Sequence, residues 1–369
     1  MTSIYTKKID GPATQAIVIG VGAYSHLPEG DGTPFEDNEG MEQLTSPPYS
    51  AREFANWLLS EYNNPDKPLA SIELLISDAA NDKFIFPDDK ETKIEKANKS
   101  NVKKAIHHWV NLGDENRDNR MIFFFCGHGI ASGPFVSLLL DDFGKYKHAP
   151  LDNTIDFDGF YLGMDKCKAR EQCFFIDACR TASSTLIESL NYAGDPIIGP
   201  SATPSSHGRR YAPVYYSTVP GDSAYGRPMD TSVFTEALIK ALNGAGSDDI
   251  EGDWRVYTDR LNIGIYYLIK RMMSNIPFLE QVISVDGLSS PFTIHYLKGK
   301  PLVPIAVGCD PKKANKMAQF SFTNQTTKIE RPDMELSDWY IDILEGEYVF
   351  SANFPRGPYL NNEIKFCKE

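Results

Sequence analysis

The sequence has little that could hold it to a nucleic acid or a membrane. It carries 37 lysines and arginines against 50 aspartates and glutamates, for a net charge of -13, whereas nucleic acids and anionic lipids attract basic surfaces. No stretch approaches the roughly 20 apolar residues of a membrane span, and the first ten residues, MTSIYTKKID, lack the apolar segment of a signal peptide. We therefore expect a cytoplasmic protein that binds neither nucleic acid nor membrane.

Signals for a metal or for disulfides are also scarce. The six cysteines stand at positions 126, 167, 173, 179, 309 and 367, without a CxxC pair or histidines at zinc spacing. The sequence has no EF-hand loop and no glycine-rich phosphate loop. The acidic residues between positions 27 and 39 are compatible with a calcium site and with a solvated acidic loop. We expect no cofactor in the chemistry and mostly reduced, buried cysteines.

The first 299 residues alternate between apolar strands and amphipathic helices. Strand patterns occur at QAIVIGVGAY (15–24), ASIELLIS (70–77), MIFFFCGHG (121–129), EQCFFIDACR (171–180) and APVYYSTVPG (212–221). Helical spacing occurs at SAREFANWLLSEY (50–62) and SNVKKAIHHWVNL (100–112), with Ser50 and Ser100 at their starts, and at SVFTEALIKAL (232–242). This order predicts an α/β fold with a mainly parallel sheet and helices on both faces, and GPFVSLLLDDF (133–143) predicts a hairpin at the edge of the sheet.

The sequence changes character near residue 300. Residues 300–369 consist of short β-prone segments split by glycine, proline and asparagine, so we expect a small β-rich domain there. We assign residues 1–299 to a first domain, whose core covers residues 12–298. Within it, residues 192–212 have the proline, glycine and serine content of a mobile surface loop.

Two chemically reactive side chains end two of the predicted strands. His128 follows RMIFFFCG and precedes a glycine, and Cys179 follows EQCFFIDA about 50 residues later. The carboxyl ends of parallel strands meet at one edge of a sheet, so both side chains should lie there. A thiol attacks as its thiolate, and a nearby imidazole favours that thiolate and can protonate a leaving amine. Each residue alone is more typical of a core position, but together they predict a cysteine and histidine pair.

These segments resemble the caspase superfamily of cysteine peptidases. FFFCGHG followed by FFIDACR resembles the His-Gly and Ala-Cys-Arg strands of caspases, metacaspases and their bacterial relatives, a spacing that is a known caspase signature. YYSTVPGDSAYG followed by SVFTEAL resembles the next strand and helix of that superfamily. The resemblance implies Cys179 as the nucleophile, His128 as general base and acid, and the backbone N–H groups of Gly129 and Cys179 as the oxyanion site.

Two departures from animal caspases bear on the substrate. Asp177 stands two residues before Cys179, where caspases have glutamine and metacaspase-like relatives have aspartate, and Gly226 stands where caspases have a pocket arginine. A substrate aspartate would face a carboxylate there, whereas arginine or lysine would gain a charge-assisted hydrogen bond. We therefore expect cleavage after arginine, with lysine second. Asp222 is either a second pocket carboxylate or a surface turn residue, and Asp177 is open to a purely structural role at the strand end.

The resemblance also implies processing and control. Caspases are cut between the cysteine strand and the next strand, where this chain has Arg209 and Arg210, so self-cleavage there is one hypothesis and a solvated basic turn is the other.

Bacterial relatives commonly join the peptidase to a sensor, often in antiphage or cell-death systems. By analogy, residues 300–369 could bind a nucleotide-derived signal, calcium or a protein partner and so gate the cleavage of protein substrates, or could only stabilise the fold.

An adaptor is the alternative function. A catalytically quiet chain of this superfamily would keep the fold in order to bind a protein partner. The intact His128 and Cys179 argue against it, because a scaffold needs neither side chain.

Overall fold

The structure, a computed structural model, describes residues 2–132, 135–188, 192–201, 207–250, 252–274, 281–355 and 357–368. In the first 299 residues the strands are β1 (Ser3–Thr6), β2 (Thr14–Val21), β3 (Leu69–Ser77), β4 (Lys83–Ile85), β5 (Glu91–Lys93), β6 (Arg120–Gly127), β7 (Gly129–Ser132), β8 (Phe135–Leu139), β9 (Thr154–Asp156), β10 (Glu171–Ala178), β11 (Thr181–Ala182), β12 (Val214–Tyr216), β13 (Ser247–Ile250), β14 (Asp253–Tyr257), β15 (Ser284–Asp286) and β16 (Thr293–Tyr296). The α-helices are α1 (Ser46–Ser60), α2 (Lys99–Asp114), α3 (Phe157–Gly163), α4 (Ser184–Glu188), α5 (Val233–Lys240) and α6 (Thr258–Met273).

Seven strands form the central sheet, in the order β1-β3-β2-β6-β10-β12-β15. The five inner strands pair in parallel, and β1 and β15 pair antiparallel at the two edges. All eight residues of β2 and of β6 are buried, as expected for strands that helices cover on both faces. The predicted α/β fold with a mainly parallel sheet is confirmed, whereas the sequence pattern did not predict the antiparallel edge strands.

Successive residues of β6 enter two different core layers. Phe123 and Phe125 pack with α2 and α3, and Phe124 packs with α1, α5 and α6. The ring of Phe54, in α1, stacks on Phe124 with 4.5 Å between the ring centroids. Aromatic rings buried on both faces hold this strand in place, and they therefore also hold the residues at its carboxyl end.

The first two helices begin earlier than the sequence predicts. α1 begins at Ser46 with two prolines in its first turn, which their fixed φ angle favours, and the predicted cap Ser50 lies fully buried inside the helix. α2 begins at Lys99, because the side chain of Asn98 accepts a hydrogen bond from a backbone N–H of the first turn. Ser100 is therefore a residue of this helix and not its start.

The predicted hairpin forms, but not at the edge of the central sheet. β7 and β8 pair antiparallel in a second sheet of four strands, with the order β11-β7-β8-β9. The turn residues 133–134 lie outside the described residues. β7 begins at Gly129, two residues after the end of β6, so the chain leaves the central sheet at His128. The predicted edge position was wrong because apolar spacing does not reveal such a change of sheet.

The carboxyl-terminal region is built from short strands. These are β17 (Leu302–Val307), β18 (Gln319–Thr323), β19 (Lys328–Glu330), β20 (Trp339–Leu344), β21 (Gly346–Asn353) and β22 (Asn362–Lys368). They form one sheet of β17 and β20 and one of β19-β18-β21-β22, which enclose a core around Phe320, Phe322 and Trp339. The predicted β-rich character of this region is confirmed. Among the residues that the structure describes, no helix is long and apolar enough to cross a membrane.

Two polar contacts join this region to the end of α6. Arg271 forms an ion pair with Asp342 of β20 at 2.8 Å, and its guanidinium lies 5.3 Å from the ring centroid of Tyr340. The hydroxyls of Ser274 and Tyr340 are 3.0 Å apart. The carboxyl-terminal strands therefore rest on the helix that precedes the last strand of the central sheet.

Candidate active site

The register of the central sheet brings His128 and Cys179 side by side. β6 and β10 run parallel and in register up to Gly127 and Ala178 at their carboxyl ends. Beyond those ends, β7 and β11 pair in parallel, and their paired residues differ in residue number by the same amount as those of β6 and β10. His128 and Cys179 have that same difference in residue number and directly follow the last pair, so they are neighbours across the two strands at the rim of the sheet.

The ring of His128 is half-buried and is held by two neighbours. Its Nε2 lies 2.7 Å from the carbonyl oxygen of Glu42, and the ring centroid of Tyr24 lies 4.9 Å away. Because a carbonyl oxygen only accepts hydrogen bonds, Nε2 carries the proton and Nδ1 has the free lone pair. Burial lowers the pKa of His128, which favours this neutral form. Nδ1 is therefore the ring nitrogen that can take a proton from a thiol.

The thiol of Cys179 is partly buried and hydrogen-bonded. Its Sγ accepts a hydrogen bond from the backbone N–H of Ala224 at 3.2 Å, and the Ser223 hydroxyl nearby also lowers the pKa of the thiol. Burial raises the pKa of the Cys179 thiol, and these two groups lower it only in part. The thiol is therefore protonated at neutral pH in this conformation, beside a neutral imidazole.

Ala224 belongs to residues 219–225, here called the covering loop. Two backbone hydrogen bonds fix the loop to the residue after the cysteine: Gly221 N–H donates to the carbonyl of Arg180 at 2.9 Å, and Arg180 N–H donates to the carbonyl of Asp222 at 3.1 Å. The side chain of Gln281 accepts the backbone N–H of the last loop residue at 3.3 Å. The loop is thus anchored at both ends while it lies over the thiol.

Gly129 lies directly against the backbone of Cys179. A Cβ atom at position 129 would come within 2.5 Å of the Cys179 carbonyl oxygen, so only glycine lets the two segments approach this closely. The backbone of Gly129 thus borders the thiol-bearing residue, where a donor to an oxyanion would be required.

Asp177 lies near the end of β10, two residues before Cys179. Its side chain is buried, with 3% of the residue exposed, and Oδ2 accepts hydrogen bonds from the hydroxyls of Ser232 and Thr235 and from the thiol of Cys126. The hydroxyl of Ser232 also caps α5. Burial raises the pKa of Asp177, and the hydroxyl donors lower it in part. Asp177 therefore ties β10 to the start of α5, which is the structural role that the sequence left open.

The other two pocket positions lie on the segment between β12 and α5. Asp222 is exposed, and only its backbone takes part in the hydrogen bonds that hold the covering loop. A Cβ atom at Gly226 would come within 2.5 Å of Oγ of Ser46, the first residue of α1. The next residue, Arg227, forms an ion pair with Glu236 of α5.

Arg209 and Arg210 lie at the opposite end of β10. Tyr211 bridges to Glu171, the first residue of β10, which is eight residues and therefore about 26 Å before Cys179 along the strand. Arg209 is exposed. Arg210 is partly buried, with its guanidinium 4.3 Å from the ring centroid of Tyr161. Of the predicted loop 192–212, residues 202–206 lie outside the described residues. The structure does not bring these arginines to the cysteine.

Comparison with known proteins decides the family. A family model described as the caspase domain matches residues 14–281. The chain belongs to the caspase-domain family. Membership implies a cysteine peptidase, and it confirms the predicted superfamily.

Individual relatives are more distant. The uncharacterized protein y4kE of Sinorhizobium fredii is 28% identical over an alignment of 306 residues, which covers 79% of this chain and 84% of that protein. Caspase-1 from Spodoptera frugiperda is 15% identical with a TM-score of 0.43, over 77% of this chain and 96% of that chain. Protein GSU0716 from Geobacter sulfurreducens is 12% identical with a TM-score of 0.45, over 78% and 98%.

Several neighbours of the pair in this caspase domain were not singled out by sequence reasoning. Tyr24 and Glu42 contact His128, and Ala224 contacts Cys179. A signal was available only for Tyr24, which stands directly after the first predicted strand, at the sheet end where site residues gather. Glu42 and Ala224 act through backbone atoms, which any residue provides, so no residue pattern could have revealed them.

Two cavities of this caspase domain lie away from the cysteine. One has a volume of about 1180 Å³ and is lined by Lys7, Lys104 and His108, among others. The other, of about 530 Å³, lies between α6 and the β17 segment. Within the described residues, no group of three or more histidine, cysteine, aspartate or glutamate side chains is placed to hold a metal ion.

Proposed function

We propose that this protein is a cysteine endopeptidase in which Cys179 is the nucleophile and His128 the general base and acid. The thiol gives its proton to Nδ1 of His128, and Sγ attacks the carbonyl carbon of a substrate peptide bond. The backbone N–H groups of Gly129 and Cys179 bind the oxyanion. The imidazolium then protonates the departing amine, and water hydrolyses the thioester after giving a proton to the same ring. The single observation that carries the proposal is the strand register that sets these two residues side by side.

Substrate preference follows from the charges around the thiol. Asp177 precedes Cys179 by two residues, a distance of about 7 Å along a strand, with the side chain on the same face. Asp222 is exposed and stands in the covering loop, two residues before Ala224, whose N–H is bonded to the thiol. An arginine side chain between them would gain charge-assisted hydrogen bonds, and lysine would gain fewer because it lacks the planar fork. We therefore propose cleavage after arginine, with lysine second.

The segment with Gly226 and Arg227 does not favour an acidic substrate. At Gly226, a longer side chain would collide with Ser46, so the caspase pocket arginine has no place here. Arg227 is neutralised by Glu236. A substrate aspartate would therefore meet the buried Asp177 carboxylate, and Arg227 is already paired and so offsets little of this repulsion.

A set of fluorogenic peptides tests the activity and its preference. We expect hydrolysis of arginine-aminomethylcoumarin peptides, slower hydrolysis of lysine peptides, and little of citrulline or aspartate peptides. Cys179→Ala should abolish all of it. Asp177→Asn should reduce the arginine-to-citrulline ratio of kcat/KM at least tenfold, whereas Asp230→Asn, at an exposed aspartate between β12 and α5, should leave it unchanged. A preference for aspartate would contradict the charge argument, and activity that survives Cys179→Ala would contradict the mechanism.

The peptidase is proposed to be gated. In the described conformation the thiol is buried beneath the covering loop, and this burial raises its pKa more than the hydrogen bonds lower it, so the thiolate that attacks is disfavoured. A signal that binds better to a conformation with the loop displaced would raise the active population. A nucleotide-derived molecule, calcium and a protein partner are the candidates, and screening the fluorogenic assay against each of them identifies the activator.

We propose that the carboxyl-terminal β region takes part in this gate. It contacts the end of α6 at Arg271 and Ser274, and seven residues after Ser274 the chain supplies Gln281, which holds the covering loop. A ligand that shifts the carboxyl-terminal strands would therefore act on the loop through one short segment of chain.

The proposed setting of this gated peptidase is bacterial antiphage defence or cell death, by analogy with relatives that combine a peptidase with a sensor. Phage challenge of cells that carry the wild type or Cys179→Ala tests it. Fewer plaques only with the wild type would support the role, and equal plaque counts would contradict it.

A further inference from the structure

Tyr24 takes no part in the proposed chemistry but contacts His128 twice. It follows β2 and is 1% exposed. Its hydroxyl oxygen accepts the backbone N–H of His128 at 2.7 Å, and its ring lies 4.9 Å from the imidazole, centroid to centroid. One buried side chain therefore touches both the backbone and the ring of the histidine.

Gln43 connects Tyr24 to the segment that carries Glu42. Oε1 of Gln43 accepts the backbone N–H of Tyr24 at 2.7 Å, and Nε2 donates to the carbonyl of Tyr24 at 3.0 Å. Glu42 precedes Gln43, and its carbonyl oxygen is the partner of Nε2 of His128. The four residues thus form a closed circuit of contacts, in which a shift of Tyr24 or Gln43 moves an atom that holds the imidazole.

The space around the Tyr24 hydroxyl is tightly limited. A Cβ atom at Gly127 would lie 2.9 Å from this oxygen, so the glycine at the end of β6 admits the phenol. Burial raises the pKa of Tyr24 well above its ordinary value, and the hydroxyl is therefore protonated at neutral pH. Tyr24 is a neutral, fixed support for the histidine backbone.

We infer that Tyr24 and Gln43 are positioning residues that keep His128 in the Nε2–H tautomer, with Nδ1 available to Cys179. A neutral imidazole has two tautomers, and rotation of the ring exchanges the positions of its two nitrogens. A hydrogen-bond acceptor that is held in place beside Nε2 therefore selects the tautomer with the proton on Nε2. Gln43 holds that partner and Tyr24 holds the residue that bears the ring. The kinetic consequence rests on the proposed function, whereas the tautomer does not.

NMR of histidine labelled with ¹³C and ¹⁵N tests the tautomer directly. His128 is assigned among the seven histidines by its loss in His128→Gln. We expect a single Nε2–H form in the wild type and a mixture of tautomers, or a displaced His128 resonance, in Tyr24→Phe and in Gln43→Ala. Gln43 is only partly buried, so its variant should fold even where Tyr24→Phe does not. An unchanged single tautomer in both variants would overturn the inference.

Two matched variants separate positioning from general destabilisation. Tyr215→Phe removes a buried hydroxyl that donates to Thr258, and Gln319→Ala truncates an exposed glutamine of β18. Neither should change the His128 signals. A change with Tyr215→Phe equal to that with Tyr24→Phe would mean a structural effect only and would also overturn the inference.

Kinetics complete the test on the full chain. Misplacement of a catalytic group by about 1 Å can cost about 100-fold, so Tyr24→Phe and Gln43→Ala should lower kcat between tenfold and 100-fold and leave KM within twofold. A kcat within twofold of the wild type in both variants would overturn the kinetic claim. If the wild type cleaves no peptide, the proposed function fails alone, because the tautomer measurement still decides the positioning role.

Discussion

The backbone nitrogen of Ala224 lies 3.2 Å from Sγ of Cys179 and donates a hydrogen bond to it. A thiol that accepts this bond beneath a closed loop is protected as well as oriented. Burial raises its pKa more than the hydrogen bonds lower it, so the resting group is a thiol and not a thiolate.

Alkylation measures this protection. Because iodoacetamide reacts with the thiolate, modification of Cys179 should be slow at neutral pH and rise with a midpoint above the ordinary pKa of a cysteine. Gln281→Ala releases one anchor of the covering loop and should speed the reaction severalfold, whereas Gln319→Ala should not. Mass spectrometry of the peptide that contains Cys179 gives the rates, and a midpoint at or below the ordinary value would refute the protected state.

Thr235→Val should destabilise the protein in a way that depends on pH. It removes one hydroxyl from the buried Asp177 carboxylate at a cost of about 1–3 kcal/mol. The folded-state pKa of Asp177 is already raised by burial, and the loss of a donor raises it further. An acid with a raised folded pKa loses stability as pH rises from its unfolded value through its folded value. The difference in Tm between variant and wild type should therefore be small in acid and grow towards neutral pH.

Thr258→Val is the control for that experiment. Thr258 is also fully buried, and its hydroxyl accepts a hydrogen bond from the backbone N–H of Phe292. Its partner is therefore a backbone group and not a carboxylate. Its effect on Tm should be the same in acid and at neutral pH. A pH-independent effect of Thr235→Val would show that Asp177 does not titrate in the fold as described.

Arg170 should protect the proposed processing site. Its guanidinium donates to the carbonyl oxygens of Gly208 and Arg209, so Arg170→Ala should release this segment and speed trypsin cleavage after Arg209 several-fold. Arg210 should be cut more slowly, because its side chain is bonded to the Tyr161 carbonyl. Mass spectrometry of fragments in a Cys179→Ala background reads out both sites, with Arg331→Ala as a control at an equally buried arginine.

Self-cleavage at the same site should be intermolecular. Arg209 lies at the far end of β10 from Cys179, about 26 Å along the strand, so a chain cannot present this bond to its own thiol without unfolding the strand. The rate of self-cleavage per molecule should rise with protein concentration. A rate that is independent of concentration would contradict this reading.

Arg271→Ala should loosen the covering loop from a distance. The ion pair with Asp342 is partly exposed and worth about 1 kcal/mol or less, so Tm should change little. The alkylation rate of Cys179 should nevertheless rise at least twofold, because the end of α6 leads to Gln281. Arg260→Ala removes an ion pair near the other end of α6 and should leave the rate unchanged. Equal rates in both variants would exclude this coupling.

The sequence predicted the parts of the fold that depend on local pattern. The all-apolar runs of β2, β6 and β10 can be stable only between two layers of helices, so they predict a parallel sheet, and two reactive residues that end two such runs must meet at its rim. β1 was missed because its four residues, none of them buried, show no strong alternation of apolar and polar side chains. The start of α1 was missed because prolines favour its first turn as well as a serine cap would.

Other features depended on contacts between distant segments. Arg209 and Arg210 are a basic pair by sequence, but their place at the amino-terminal end of β10 follows from the pairing of Tyr211 with Glu171. Asp177 looked like a pocket residue, and the structure adds a structural role because α5 brings two hydroxyls to it.

By itself, the sequence determined that Cys179 and His128 lie at one rim of the sheet, since both follow apolar runs that predict parallel strands, and the sheet order then made them neighbours. The tertiary structure alone decided the state of the pair. The carbonyl of Glu42 selects the imidazole tautomer, and the N–H of Ala224 holds the thiol. Every residue carries these backbone groups, so their placement is a property of how the loops fold over the sheet and is not written in the side chains that they contact.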